Sequence, residues 1–183
     1  MKSFRSHRRN AMNSGFCMRG IVSALLLGSS LFGMSAASAA EKSFGFDVEI
    51  SLSPKAAARL AKLSEGIIVS ASYSGDPVPS AQKHADQIGR IDLGREQVET
   101  PGKAGTVHIT GDKVHRERLA WIQGPVLLNV NVYSARHSGP DNILDCDFFD
   151  GNLQDAVGKS TALHCALIEE KTQPKALTGA PSP

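Results

Sequence analysis

A short acidic stretch holds the side chains best suited to binding a cation. Three aspartates are spaced closely within residues 141–152, namely Asp145, Asp147 and Asp150. Calcium loops of the EF-hand type place oxygen ligands at positions 1, 3 and 5 and a glycine at position 6. Counted from Asp145, position 5 is Phe149 and the glycine comes one position late. The stretch is therefore consistent with a divalent-cation site or, alternatively, with a strand that turns its acidic residues toward solvent.

Recognised catalytic motifs are scarce in this sequence. It contains no G-x-S-x-G, H-E-x-x-H, P-loop or dinucleotide-binding fingerprint. Residues 80–83 match S-x-x-K, but the S-D-N and K-T-G elements that accompany this motif in penicillin-binding enzymes are missing. No two histidines after residue 40 have the i, i+2 or i, i+4 spacing of a chelating pair. The sequence therefore identifies no catalytic residue, and a hydrolase site would have to be assembled from scattered groups such as His108, His115 and the aspartates.

Residues 1–40 have the three parts of a secretory signal peptide. Five basic residues come first, an apolar segment follows from Ile21 to Met34, and small residues end the segment with Ala37-Ser38-Ala39. The apolar segment is shorter than the roughly 20 residues that span a bilayer, and it contains glycine and serine. We therefore expect cleavage after Ala39 or Ala40, no stable membrane anchor after cleavage, and a periplasmic or secreted protein.

Cleavage would change the charge of the chain. Five of the 20 basic residues and none of the 18 acidic ones precede residue 41, so 15 basic and 18 acidic residues would remain, a net charge of −3. This balance argues against a nucleic-acid partner, which requires a basic surface. All four methionines also precede residue 41, which excludes a methionine-rich copper(I) site. We expect no cofactor, with a divalent cation as the alternative.

Two cysteines, Cys146 and Cys165, follow the predicted leader. Paired cysteines in an exported protein usually form a disulfide, and 18 intervening residues do not match the C-x-x-C spacing of redox-active pairs. We therefore predict a structural disulfide between them. In the chain-entropy model, closing such a loop stabilises the fold by roughly 3 kcal/mol.

Alternating apolar residues predict a mainly β domain over residues 41–170. The clearest strand is 44–52, where every even position is apolar, and Ser53-Pro54 then predicts the start of a short helix that ends near Gly66. Further strands are predicted by the segments 66–73, 88–93, around Val98, 105–110, 126–133, 143–149 and 162–168. About seven short strands with one short helix favour an antiparallel β-sandwich or barrel, with an α+β arrangement as the alternative. Residues 171–183 include three prolines and few large apolar residues, which predicts a disordered C-terminal tail.

Three functional hypotheses are compatible with these observations. The first is a non-catalytic, inhibitor-like binding or accessory protein that recognises another protein of the envelope or the extracellular space. The second is a periplasmic protein that binds a metal or a small ligand through Asp145, Asp147 and Asp150. The third is the hydrolase with a site assembled from scattered residues. A large exposed apolar patch or an open strand edge would favour the first, a bound ion the second, and a pocket with a Ser–His or carboxylate pair the third.

Overall fold

The computed structural model describes residues 43–170 and 174–178. The predicted signal peptide, residues 1–40, lies outside these described residues. The described part contains the following strands and α-helices: β1 Phe46–Leu52, α1 Pro54–Leu63, β2 Gly66–Pro77, β3 Ile91–Pro101, β4 Gly105–Ile109, β5 Ile122–Ser134, β6 Leu144–Cys146, β7 Phe148–Asn152, α2 Leu153–Ala156, β8 Ser160–Leu167 and β9 Ala176–Thr178. Short 3₁₀ helices cover Pro79–His84, Arg116–Trp121 and Ile168–Glu170.

The strands form two sheets, so the prediction of a mainly β fold is confirmed. One sheet has the order β4-β1-β8-β6 and the other the order β3-β2-β5-β7-β9. Both sheets are mixed, because β1 pairs with β8, and β7 with β9, in parallel. The number of strands exceeds the predicted seven partly because the segment 143–149 supplies two strands. Its first part, β6, joins the four-stranded sheet, and its second part, β7, joins the five-stranded sheet.

The core is built from the residues that alternate along the strands. In β1, Phe46, Val48 and Ile50 are all at most 2% exposed. In β2, the inward positions are Ile67, Val69, Ala71 and Tyr73, and they belong to the same buried cluster. Period-two burial of this kind is what the sequence pattern of a half-buried strand predicts. The opposite faces of these strands carry mostly polar side chains, with Ile68 of β2 as an apolar exception.

Helix α1 follows from its capping residues. The Ser53 side chain accepts a hydrogen bond from the Ala56 backbone N–H at 3.0 Å, and Pro54 occupies the first turn. Ala56 and Leu60 are fully buried against the core. The helix ends at Ser64, which adopts the left-handed conformation at φ 50°. The predicted helix is thus present, and it stops before Gly66 because Ser64 already breaks it.

Strand β3 continues through Gly94, whereas the sequence pattern predicts two separate strands on either side of this glycine. Residues 91–101 form one strand along the edge of the five-stranded sheet, and its register with β2 shifts between Tyr73 and Ser74, opposite Gly94. Gly94 has φ +116°, a conformation that side chains disfavour. The glycine therefore makes a β-bulge, which restarts the alternation one residue out of phase, and two predicted short strands merge into one.

The predicted disulfide is present between Cys146 and Cys165, which are directly paired residues of β6 and β8. It ties the short edge strand β6 to the four-stranded sheet, and it is compatible with a periplasmic or extracellular location. In the part of the chain that the structure describes, no helix is long and apolar enough to cross a membrane.

Of the tail predicted to be disordered, 171–183, the structure describes only residues 174–178, and the rest of that prediction lies outside the described residues. Ala176–Thr178 form β9, which pairs in parallel with β7. The Lys175 N–H also donates to the Asp147 carboxylate at 2.6 Å. These backbone contacts order the segment even though it buries little apolar surface, which is why its composition does not predict a strand.

Candidate functional site

The outer surface of β3, β2 and β5 carries a connected group of polar side chains, which we call the polar face. Its members are Ser70 and Ser72 of β2, Arg95 and Gln97 of β3, Asn129, Asn131 and Tyr133 of β5, and Arg136 just after β5. They occupy the positions that alternate with buried core residues such as Val69 and Ala71. The polar face is therefore a direct consequence of the same alternation that builds the core.

Strand register places these side chains in rows across the sheet. Ser72 of β2 pairs with Arg95 on one side and with Asn129 on the other. Ser70 likewise lies between Gln97 and Asn131. Directly opposed residues have Cβ atoms about 5 Å apart, so the side chains of each row contact one another.

Hydrogen bonds fix much of the polar face. The Arg95 Nε donates to Ser72 Oγ at 3.0 Å. The Gln97 amide donates to Tyr133 Oη at 2.6 Å and lies 3.4 Å from Ser70 Oγ. The Asn131 amide donates to the Asn129 side-chain oxygen. Side chains held in this way lose less conformational entropy when they bind a ligand.

A depression of about 420 Å³ opens in the polar face. Its walls include both arginines, and its lining continues past the rows to Val132 and Asn142. This extension exists because residues 131–134 of β5 run beyond the last pair with β7, Val130 with Phe149. The segment that carries Asn142 lies against this end of β5, where Asn142 Oδ1 accepts from the Ser134 N–H at 2.9 Å, so Asn142 forms part of the wall of the depression.

Two arginines border the depression without a carboxylate partner among the described residues. Arg95 is bonded to Ser72, and the Arg136 guanidinium lies 5.8 Å from the centroid of the Tyr133 ring. No ion pair within residues 43–170 and 174–178 involves either arginine. Guanidinium groups that lack an internal carboxylate are available to an anionic ligand.

A buried carboxylate fixes the loop that carries Arg136. Glu65, only 3% exposed, accepts hydrogen bonds from the backbone N–H of His137 at 3.0 Å and of Ser138 at 2.8 Å, and from Ser138 Oγ at 2.5 Å. It also accepts from the Gly66 N–H at 3.0 Å. Arg136 itself has φ 66°, an uncommon conformation for a residue with a side chain. Glu65 thus holds the chain directly after a strained residue whose side chain borders the depression.

These hydrogen bonds keep Glu65 ionised. Burial raises the pKa of the carboxyl group, but the hydrogen bonds from Ser138, His137 and Gly66 outweigh burial and lower the pKa to about 2. The charge is satisfied by four donors, so Glu65 is a structural anion and not an acid or base poised near neutral pH.

A second cavity, of about 520 Å³, lies on the other side of Glu65. It is bordered by Glu99, Lys103 and His137, and His137 Nε2 lies 3.2 Å from Glu99 Oε1. A Cβ at Gly102 would overlap the Glu65 backbone oxygen, so the wall of this cavity is a close backbone contact. Glu99 and His137 contact each other and Glu65 is bonded mainly to backbone N–H groups, which leaves this cavity with fewer groups free to bind a ligand than the polar face.

The structure separates the three aspartates that the sequence proposes as cation ligands. Asp145 lies in β6 of one sheet, whereas Asp150 lies in β7 of the other. Asp147, between them, accepts from the backbone N–H of His164 at 3.2 Å and of Lys175 at 2.6 Å. In the described segments, no group of three or more His, Cys, Asp or Glu side chains is placed to hold a metal ion. The cation site gains no support from this geometry and stays a prediction.

The residues named for a hydrolase are surface groups with local partners. His108 Nδ1 lies 2.7 Å from Asp47 Oδ1, and His115 Nδ1 lies 3.3 Å from Glu117 Oε1. All four side chains are 46% to 69% exposed. These pairs are solvated, and neither encloses a reaction site.

One Ser–His contact in the structure, between Ser51 and His164, is not predicted from the sequence. Ser51 Oγ lies 3.0 Å from His164 Nδ1, because β1 and β8 pair in parallel and place the two residues side by side. Both residues are exposed on the outer face of the four-stranded sheet. No carboxylate forms an ion pair with His164 within the described residues. The contact therefore lacks both the pocket and the orienting third group of a catalytic triad.

The polar face is not predictable from the sequence alone. The alternation of Ser70 with Ser72, and of Asn129 with Asn131, does signal the outward side of a strand. It does not signal that β2 and β5 are neighbours, and this pairing is what brings the four residues together. Comparisons with protein-family models, with curated proteins and with solved structures found no match to this chain.

Proposed function

We propose that this chain is an exported, non-catalytic binding protein that recognises another protein of the envelope or the extracellular space through the polar face. One observation carries the proposal. The polar face is a set of amide, hydroxyl, phenol and guanidinium groups that are hydrogen-bonded to one another around an open depression. A merely solvated sheet surface does not require such internal bonding.

The residue types support recognition of protein. Tyrosine and arginine are enriched at the centre of protein–protein interfaces, and lysine and glutamate are depleted there. Serine, asparagine and tyrosine also dominate antibody binding surfaces, where they offer adaptable hydrogen bonds at low entropic cost. The polar face contains these types and includes neither lysine nor glutamate among its eight members.

The chemistry of the polar face favours binding over catalysis. Amide and hydroxyl groups such as those of Gln97, Asn131 and Ser72 do not ionise near neutral pH, so they are poorly suited to act as general acids or bases. The hydrogen bonds between them instead set the directions in which donors and acceptors face a ligand. The predicted signal peptide and the disulfide support action outside the cytoplasm.

Site-specific photo-crosslinking in the native cell tests this proposal. A photoreactive amino acid replaces Asn131 at the centre of the polar face in one variant. In the control variant it replaces Thr106, which is exposed on β4 of the other sheet. We expect a discrete crosslinked protein band from position 131 and none from position 106.

Two results would reject the proposal. One is the absence of a crosslinked protein at position 131 when the variant is exported at wild-type level. The other is an identical set of bands from both positions, since this would mean that the polar face attracts nothing specifically.

A further inference from the structure

We infer that the polar face binds a short, extended, acidic segment of a polypeptide, whose carboxylates pair with Arg95 and Arg136. This inference rests on the proposed function and specifies the partner's chemistry. The two guanidinium groups at the depression supply the positive charge that such a segment would pair with. Within the described residues, no salt bridge engages either of them.

Both guanidinium groups are already oriented. The Arg95 Nε is bonded to Ser72 Oγ at 3.0 Å, which leaves the two terminal nitrogens of the group to face a ligand. The Arg136 side chain lies over the Tyr133 ring, and Glu65 holds the two residues that follow Arg136. Planar guanidinium groups with fixed directions match carboxylates through two parallel hydrogen bonds, which a lysine ammonium cannot reproduce.

The acidic residues near the polar face have partners of their own. Asp150, in the next strand, lies 3.5 Å from the Asn129 amide nitrogen. Glu99, at the far end of β3, lies 3.2 Å from a His137 ring nitrogen. Among the described residues no Asp or Glu lines the depression, so its lining carries an excess of positive charge.

The size of the polar face fits a segment and not a folded domain. Its rows span three strands, and with strand spacings of about 4.8 Å the face is roughly 10 to 15 Å wide. Its length along β5, from residue 129 to residue 133, is roughly 14 Å at about 3.4 Å per residue, and Arg136 lies just beyond the end of the strand. The resulting area is at most a few hundred Å², whereas each partner in a standard interface between domains buries about 800 Å².

The groups between the arginines suit a peptide backbone. Ser70, Asn129 and Asn131 line the floor and one wall of the depression and offer both donors and acceptors. An acidic carbohydrate would share the carboxylates, but sugar rings are commonly bound on an exposed aromatic face. The only aromatic ring of the polar face, Tyr133, already lies beneath the Arg136 guanidinium. The observations therefore favour a polypeptide.

Fluorescence anisotropy with labelled peptides of defined charge tests the inference. The disulfide-bonded protein is titrated against fluorescein-labelled hexaglutamate and, separately, against hexaglutamine of the same length. We expect saturable binding of hexaglutamate that weakens as salt is added, and at least tenfold weaker binding of hexaglutamine. We also expect Arg95→Gln and Arg136→Gln each to weaken hexaglutamate binding at least fivefold.

Matched controls separate a specific site from general charge effects. Arg59→Gln removes the same charge from the exposed surface of α1, an element that contributes no residue to the lining of the depression, and should leave hexaglutamate binding unchanged. Circular dichroism melting curves of all three variants should match the wild type, because these side chains are exposed. A variant that fails to melt like the wild type is replaced by the corresponding arginine-to-lysine variant, which keeps the charge but loses the planar donors.

Several outcomes would overturn the inference. These are no saturable binding of hexaglutamate, equal binding of hexaglutamine, an Arg59→Gln effect as large as that of Arg95→Gln, or tighter binding of an oligogalacturonate of similar charge. None of them removes a crosslink at position 131. The failure of the acidic-segment inference is therefore distinguishable from the failure of the proposed function.

Discussion

Replacing Glu65 by glutamine should destabilise the protein and remove a defined part of its acid sensitivity. The Glu65 carboxylate satisfies four hydrogen-bond donors from residues 66, 137 and 138. Glutamine keeps one oxygen but places its NH₂ group against donors, which leaves some of them unpaired in a buried site. Unpaired buried groups cost about 1–3 kcal/mol each, so we expect Glu65→Gln to lower the free energy of unfolding at pH 7 by about 2 to 4 kcal/mol.

The pKa shift of Glu65 gives an independent value for its contribution to the free energy of unfolding. The folded protein lowers the Glu65 pKa from 4.5 to about 2, which corresponds to about 3 kcal/mol at 1.36 kcal/mol per pKa unit. Because the pKa is lower in the folded state, this stabilisation is complete above the unfolded-state pKa, near 4.5, and is lost as the pH falls toward about 2. Glu65→Gln has no carboxyl group at this position, so its stability should fall less across that range.

Urea unfolding followed by the fluorescence of Trp121, the only tryptophan, measures both effects. Unfolding curves are recorded for wild type and variant at several pH values from 7 down to 2.5. The control is Glu99→Gln, which removes an exposed carboxylate on the neighbouring strand and should change stability by less than about 1 kcal/mol. If Glu65→Gln loses as much stability as the wild type between pH 5 and pH 2.5, the assignment of Glu65 as a buried structural anion is wrong.

Two further predictions concern the framework around the polar face. Replacing Cys146 and Cys165 by serine should lower the free energy of unfolding by roughly 3 kcal/mol in the chain-entropy model. Chemical denaturation of the variant and the wild type measures this difference. Equal denaturation midpoints would contradict the prediction. Gly94→Ala should destabilise by more than about 1 kcal/mol, because φ is +116° and a Cβ would overlap the Lys113 backbone oxygen, whereas Gly105→Ala meets open space. Thermal unfolding of the two alanine variants compares them, and an equal effect would show that the bulge tolerates a side chain.

The elements that sequence reasoning predicted correctly are those set by local interactions. The first strand follows from apolar residues at every even position of 44–52. Helix α1 follows from Ser53, whose hydroxyl accepts from the Ala56 N–H. This capping bond joins residues only three positions apart, so it does not depend on contacts with distant segments. The disulfide follows from having only two cysteines in the predicted mature chain.

The parts that escaped prediction depend on contacts between distant segments. Gly94 ends a pattern in the sequence but makes a bulge in the sheet, and only the pairing with β2 decides between these outcomes. β9 is ordered by backbone hydrogen bonds to β7, which its composition cannot reveal. The polar face depends on the registers of β2 with both β3 and β5. The positions of the asparagines and serines in the sequence do not reveal these registers, so they do not predict that the side chains lie together.

The most direct test of the central claim is to locate bound hexaglutamate on the protein by NMR. Amide resonances of the ¹⁵N-labelled protein are followed as the unlabelled peptide is added. We expect progressive shifts at Ser70, Ser72, Arg95, Asn129 and Asn131, with residues of the four-stranded sheet such as Thr106 unaffected. Shifts centred on the four-stranded sheet, or spread evenly over every basic residue of the surface, would contradict the assignment of the polar face as the binding surface.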